Sequence, residues 1–139
     1  MTGLWRIAPF AFATLAAIAL PALGQRAPAV ALFTKPDETS RAVSGSVAGY
    51  ETRDYAFDAA AGDHVDLLLK TANRHLYFNL MPPQGEAIYD GSIGGDRHFD
   101  TTIKSPGRYI ASVYFMRNDA RRGAHGQFTL TVKLTHAGQ

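Results

Sequence analysis

The sequence predicts an all-β fold, an antiparallel β-sandwich of about seven to eight strands, and three observations support it. Short runs rich in Val, Ile, Leu, Tyr and Phe alternate with polar residues at period two. Turn residues recur at roughly 8 to 12-residue spacing, as they do in sandwiches. No stretch beyond residue 24 sustains a helical period.

Taken in order, residues 1–24 read as a signal peptide. Arg6 is a thin positive region, Ile7 to Leu20 is the apolar stretch, and Ala22-Leu23-Gly24 suits cleavage. An uncleaved anchor is disfavoured, because the apolar run is near the lower length limit for a spanning helix and ends in Pro21 and small residues. Residues 25–139 then form a single exported domain, long enough for one hydrophobic core. Gln25 to Thr39 holds Pro28 and Pro36 and is expected to be irregular, with a short edge strand at Val30 to Phe33. Arg41 to Val47 is a strand interrupted by Gly45, and Ala48-Gly49-Tyr50-Glu51 is a turn.

In Asp54 to Asp58 the aromatics Tyr55 and Phe57 share one face and the aspartates the other. A turn at Ala60 to Asp63 leads to His64 to Lys70, with Val65, Leu67 and Leu69 on one face, so these two strands are expected to pair as a hairpin. Thr71 to Arg74 is a loop, Leu76, Phe78 and Leu80 mark the next inward face, and Met81-Pro82-Pro83 ends it. Ala87 to Tyr89 is a short strand, Asp90 to Asp96 a glycine-rich loop, and His98 to Ile103 a strand. Ser105-Pro106-Gly107-Arg108 suits a type II turn. Tyr109 to Met116 carries no charge and reads as an internal strand, with Tyr109, Ala111, Val113 and Phe115 as its core face. Gln127 to Leu134 alternates cleanly, and the tail from His136 to Gln139 is expected to be loose.

Composition narrows the function. With no cysteine, neither a disulfide scaffold nor a thiolate metal site is available. Of 14 basic residues Arg6 leaves with the signal, so 13 face 12 acidic ones, a net charge of about +1. Such a balance supplies no general field for nucleic acid. The five histidines form no recognised ligand spacing and read as isolated surface groups, so no metal site is expected. Ser46 in G-S-V-A-G lacks the spacing of a nucleophile elbow; no catalytic residue, enzyme activity or cofactor is expected. Asp90 to Asp96 is faintly like a calcium loop, but its twelfth position is Thr101 where a bidentate Glu is needed. Aspartates 54, 58, 63 and 66 read as a solvated strand face.

One cluster stands out. Arg117-Asn118-Asp119-Ala120-Arg121-Arg122-Gly123 places three guanidinium groups on a loop, with Asn118 able to cap one helical turn that Gly123 ends. Arginine keeps its charge when desolvated and binds carboxylates bidentately, so this loop suits an anionic partner. The plainer reading is a solvated turn, or arginines paired with Asp119.

The run Val113-Tyr114-Phe115-Met116-Arg117-Asn118-Asp119-Ala120-Arg121-Arg122 resembles the signature of the bacterial periplasmic inhibitors of goose-type (g-type) lysozyme. Gly49 to Tyr55, Leu76 to Asn79, the Ser-Gly-Tyr turn and the closing F-T-L-T-V strand appear in similar order, so the resemblance covers most of the mature chain. These inhibitors look related in fold to β-sandwich domains appended to secreted bacterial peptidases. The resemblance implies a periplasmic, non-catalytic protein whose partner is g-type lysozyme, with no membrane contact in the mature form and a possible homodimer. It implies Arg117 and Arg121 as anchors in the lysozyme cleft, Asn118 and Arg122 beside them, and Tyr50 and Tyr114 as aromatic contacts; ordinary packing is the other reading of both tyrosines. Pro106 departs from the family's Ser-Gly turn, and no role is carried over to Ser105. The alternative function is a non-catalytic β-sandwich module binding carbohydrate or calcium through Asp90 to Asp96.

Overall fold

The computed structural model describes Gly3 and residues 27–138; the signal-peptide expectation for residues 1–24 lies outside the described segment, apart from Gly3. Two sheets face each other. The five-stranded sheet has the order β1-β3-β8-β5-β6, from β1 (Val30–Ala31), β3 (Thr52–Ala59), β8 (Gly107–Phe115), β5 (Leu76–Met81) and β6 (Tyr89–Asp90). The four-stranded sheet has the order β2-β9-β4-β7, from β2 (Ser40–Ala48), β9 (His125–Thr135), β4 (His64–Thr71) and β7 (His98–Thr102). All pairings are antiparallel except the short parallel contact of β1 with β3.

The uncharged run of β8 lies in the middle of its sheet, between β3 and β5. That is where continuous apolar character costs nothing in exposed surface. Its inward residues Tyr109, Ala111, Val113 and Phe115 are buried as expected. They meet Leu76, Phe78 and Leu80 of β5 and, across the sandwich, Val65, Leu67 and Leu69 of β4 and Leu130 and Val132 of β9 in one core. Aromatic contacts close its flanks: Tyr109 stacks on Phe57 at 5.8 Å and Tyr55 meets Phe128 edge-on at 6.2 Å. Tyr89 of β6 stacks on Phe99 of β7 at 4.5 Å, joining the two sheets at one side.

Several local expectations need correction. β3 and β4 are not a hairpin: β3 pairs with β1 and β8, whereas β4 pairs with β7 and β9. The turn between them closes normally, Asp63 N to Ala60 O at 3.1 Å, and then the chain crosses to the other sheet. Two strands with one apolar face each can share a sheet or oppose each other, and here they oppose. Gly45 does not interrupt β2. It lies opposite Phe128, and a Cβ there would come within 2.9 Å of that ring and 3.0 Å of the Tyr55 hydroxyl. The missing side chain is filled by aromatic rings. At the expected type II turn, Gly107 takes the positive φ, 140°, but as the first residue of β8 paired with Ala59. The Ser105 carbonyl accepts instead from the Tyr109 hydroxyl at 2.7 Å.

Asp63 is not part of a solvated face. It is only 3% exposed and accepts from the amides of Ala60 (2.9 Å) and Ala137 (3.2 Å), with the His136 ring at 3.2 Å. The tail is therefore pinned through His136 and Ala137. Burial pushes the Asp63 carboxyl up, but the two amides and His136 together pull it below the ordinary value.

Candidate functional site

The arginine cluster folds as a short helix, α2 (Arg117–Arg121), between β8 and β9. Ala120 is buried beneath it, and Gly123, at φ 73°, ends the turn as expected. Asn118 is not the cap. Met116 occupies that position, and the Asn118 Oδ1 accepts from the Arg121 guanidinium at 3.2 Å. Asp119 pairs with none of the arginines; its carboxylate lies 2.9 Å from the His75 ring. Among the described residues Arg117 and Arg122 form no ion pair. The exposed face of α2 thus presents positive charge that no carboxylate of the described residues pairs with.

Register brings a distant turn to this helix. β2 and β9 end at the pair Ala48 and His125, so the Ala48 to Glu51 turn emerges beside the residues that follow α2. The Gly49 amide donates to the Ala124 carbonyl at 2.7 Å, fixing the approach. Tyr50, 69% exposed, projects from that turn. Such exposure of a large aromatic excludes the packing reading for this residue and suits a contact surface.

Between this turn and α2 lies a concave surface of about 490 Å³ on the outer face of the five-stranded sheet, lined in part by Tyr50, Tyr114, Arg117, Asn79, Asp90 and Ser92. The structure therefore brings together three of the predicted residues, Tyr50, Tyr114 and Arg117. Asn118, Arg121 and Arg122 lie further along α2 and do not line it. Tyr114 is half-buried, and its hydroxyl donates to Asn79 Oδ1 at 2.9 Å and Asp90 Oδ1 at 3.2 Å. Burial pushes the Tyr114 phenol up.

Asn79 carries no site expectation from the sequence, and Asp90 and Ser92 enter one only through the alternative calcium or carbohydrate loop at Asp90 to Asp96. Their signal was weak: Asn79 is the one amide on the outward side of an otherwise apolar strand, and Asp90 opens the glycine-rich segment. That segment is a four-residue helical turn, α1 (Gly91–Gly94), capped by Asp90. Asp90 Oδ1 accepts from the Ser92 amide (3.0 Å) and hydroxyl (2.6 Å). The Ser92 hydroxyl, chiefly, holds the Asp90 carboxyl below its ordinary value against the opposing effect of burial. Among the described residues, no group of three or more His, Cys, Asp or Glu side chains is placed to hold a metal ion.

The histidines are not isolated. His64, His75, His98 and His136 each face an aspartate distant in sequence, at 3.4, 2.9, 2.9 and 3.2 Å. The Asp66 contact raises the His98 pKa above its ordinary value.

The sandwich presents a short cationic helix, an exposed tyrosine and a polar concavity at one place. The fold is similar to that of Aeromonas hydrophila PliG, a periplasmic lysozyme inhibitor of g-type lysozyme, at 29% identity and a TM-score of 0.65, covering 77% of this chain and 96% of that one. Salmonella Typhimurium PliG shares the fold at 21% identity and a TM-score of 0.62, with 78% and 99% covered. A mutant of the Escherichia coli PliG does so at 20% and 0.62, with 76% and 96% covered. No protein-family model and no curated protein sequence matches the chain.

Proposed function

We propose that this protein is an exported, non-catalytic inhibitor of g-type lysozyme that acts in the periplasm by occluding the enzyme's cleft. Lysozymes cleave a glycosidic bond in a groove that depends on acidic catalytic side chains. A protruding arginine that enters such a groove bonds the carboxylate in the desolvated, charge-assisted geometry in which guanidinium binds most strongly. Arg117 and Arg121 stand four residues apart on α2, the spacing that places two side chains on one helical face. Asn118 steadies Arg121 through its side chain. Tyr50 and Tyr114 line the concavity with Arg117, the first as an exposed contact and the second as part of the polar wall.

The observation that carries this reading is the cationic α2 face beside Tyr50 on a scaffold that resembles a g-type lysozyme inhibitor at 29% identity. Its test is lysis of peptidoglycan by goose-type, chicken-type and invertebrate-type lysozymes with the mature domain added, alongside an R117A/R121A double variant. Selective inhibition of the goose-type enzyme is expected. The double variant should lose inhibition by about 30-fold or more, the effect of removing interface anchors of roughly 2 kcal/mol or above. A folded wild-type domain that slows none of the three enzymes refutes the proposal.

A further inference from the structure

The concavity beside α2 has a hydrogen-bonding polarity that the arginines do not explain. Four donors at its floor are turned inward: the Ser92 amide and hydroxyl and the Tyr114 hydroxyl all reach Asp90 Oδ1, and the Gly91 amide, with Tyr114 again, reaches Asn79 Oδ1. Asp90 Oδ2 takes none of these bonds, and the Ile93 amide is a further donor to the Asp90 carboxylate. The Tyr114 hydroxyl, its one proton shared between Asn79 and Asp90, is itself within reach of Ser92. Glu51 adds a second carboxylate to the lining, with the Ala48 amide and Arg53 as its own partners. Arg117 lines the same concavity, so one cation stands there beside the two carboxylates. A carboxylate at the floor, a second in the lining, and hydroxyl protons spent elsewhere make a surface that accepts hydrogen bonds.

We propose that this pocket receives a basic side chain, best an arginine, from the partner protein, so that the interface exchanges charge in both directions: Arg117 outward to a carboxylate, Asp90 inward to a cation. The proposal rests on the inhibitor reading for the partner's identity. Charge complementarity is the argument for the occupant, since Asp90 carries its charge at neutral pH and no cation of the described chain lies within ion-pair distance of it. A guanidinium fits better than an ammonium, because its planar fork spans two acceptors at once. A volume of about 490 Å³ lies within the roughly 300–1,000 Å³ range of clefts that hold small ligands and easily admits one side chain. Alternating the sign of charge across one contact also supplies specificity, because a partner with carboxylates alone meets Asp90 as a repulsive element.

The test uses Asp90→Asn, which removes the charge and retains a side chain able to cap α1. Calorimetric titration of the mature domain with purified goose-type lysozyme, at a temperature where circular dichroism shows both proteins folded, should show affinity weakened about tenfold or more in D90N, with a larger loss at low salt. Asp58→Asn, at the far end of the same sheet, should bind as the wild type does. A second arm needs no lysozyme. Nα-acetyl-arginine methyl ester at millimolar concentration should shift the Gly91 and Ser92 amide resonances of the wild type, Nα-acetyl-citrulline methyl ester, which carries no charge, should not, and D90N should respond to neither. Wild-type affinity in D90N, or amides unmoved by the arginine ester, overturns the pocket. If R117A/R121A binds fully while D90N is weakened, the arginine-loop reading fails and the pocket stands. If the wild type binds no lysozyme at all, the ester arm alone decides it.

Discussion

Asp63→Ala is expected to destabilise the protein by removing one buried carboxylate that three groups from two parts of the chain share. Asp63 closes the turn between β3 and β4 through the Ala60 amide and holds the C-terminal segment through Ala137 and His136. Each amide left without its partner costs about 1–3 kcal/mol if it stays dry. Ala60 and Ala137 are themselves exposed, so water recovers part of that, and a net loss of about 1–3 kcal/mol is expected for the pair. For a domain of this size that is a fall in Tm of roughly 4–12 °C. Asp63→Asn, which keeps one carbonyl acceptor, should lose about half as much.

The pH dependence follows from the sign of the shift. The folded carboxyl titrates below its ordinary value of 3.8, so the unfolded chain binds the proton more readily. The stabilisation is therefore complete above the ordinary pKa and is lost as pH falls through the folded one. Scanning calorimetry or thermal circular dichroism at several pH values checks both parts. The gap between wild type and D63N should hold at pH 5 and above and narrow below about pH 4. A D63A protein that melts within about 2 °C of wild type refutes the reasoning, as does a gap that persists unchanged into strong acid.

Two further outcomes are expected. Gly107→Ala must place a Cβ 2.7 Å from the Pro83 ring at a φ of 140°, so it should lower stability by about 1–3 kcal/mol; an unchanged urea midpoint would show that β8 can begin with ordinary backbone. His75→Ala removes the side-chain contact that ties Asp119, and with it α2, to the start of β5, while the Met116 amide still reaches the His75 carbonyl. An exposed pair of this kind is worth at most about 1 kcal/mol, so Tm should barely move, yet inhibition of goose-type lysozyme should weaken roughly two- to fivefold; equal inhibition would mean that α2 is held by Ala120 and the backbone alone.

Much of the strand pattern was legible because it is a local property. The inward faces of β4, β5, β8 and β9 follow from alternation within single segments, and the uncharged run of β8 foretold its central place. The arginine cluster was equally plain, since three guanidinium groups in six positions need no partner to be noticed. Its local geometry was less so. Asn118 has the composition of a cap, but the chain leaves β8 at Met116 in an extended conformation and the helix begins one residue before Asn118.

What the sequence by itself determined is therefore the set of strands, the sides they bury and the place where positive charge collects. Only the tertiary structure decided which sheet β3 and β4 each join, that Tyr50 stands beside α2, that Asp90 meets Tyr114, and that four histidines find aspartates. The physical reason is range. Alternation records which side of a strand avoids water, a preference each segment expresses alone. Which strand lies next to it depends on pairing across tens of residues and on closing one common core, and side chains from separate segments meet only after that register is set.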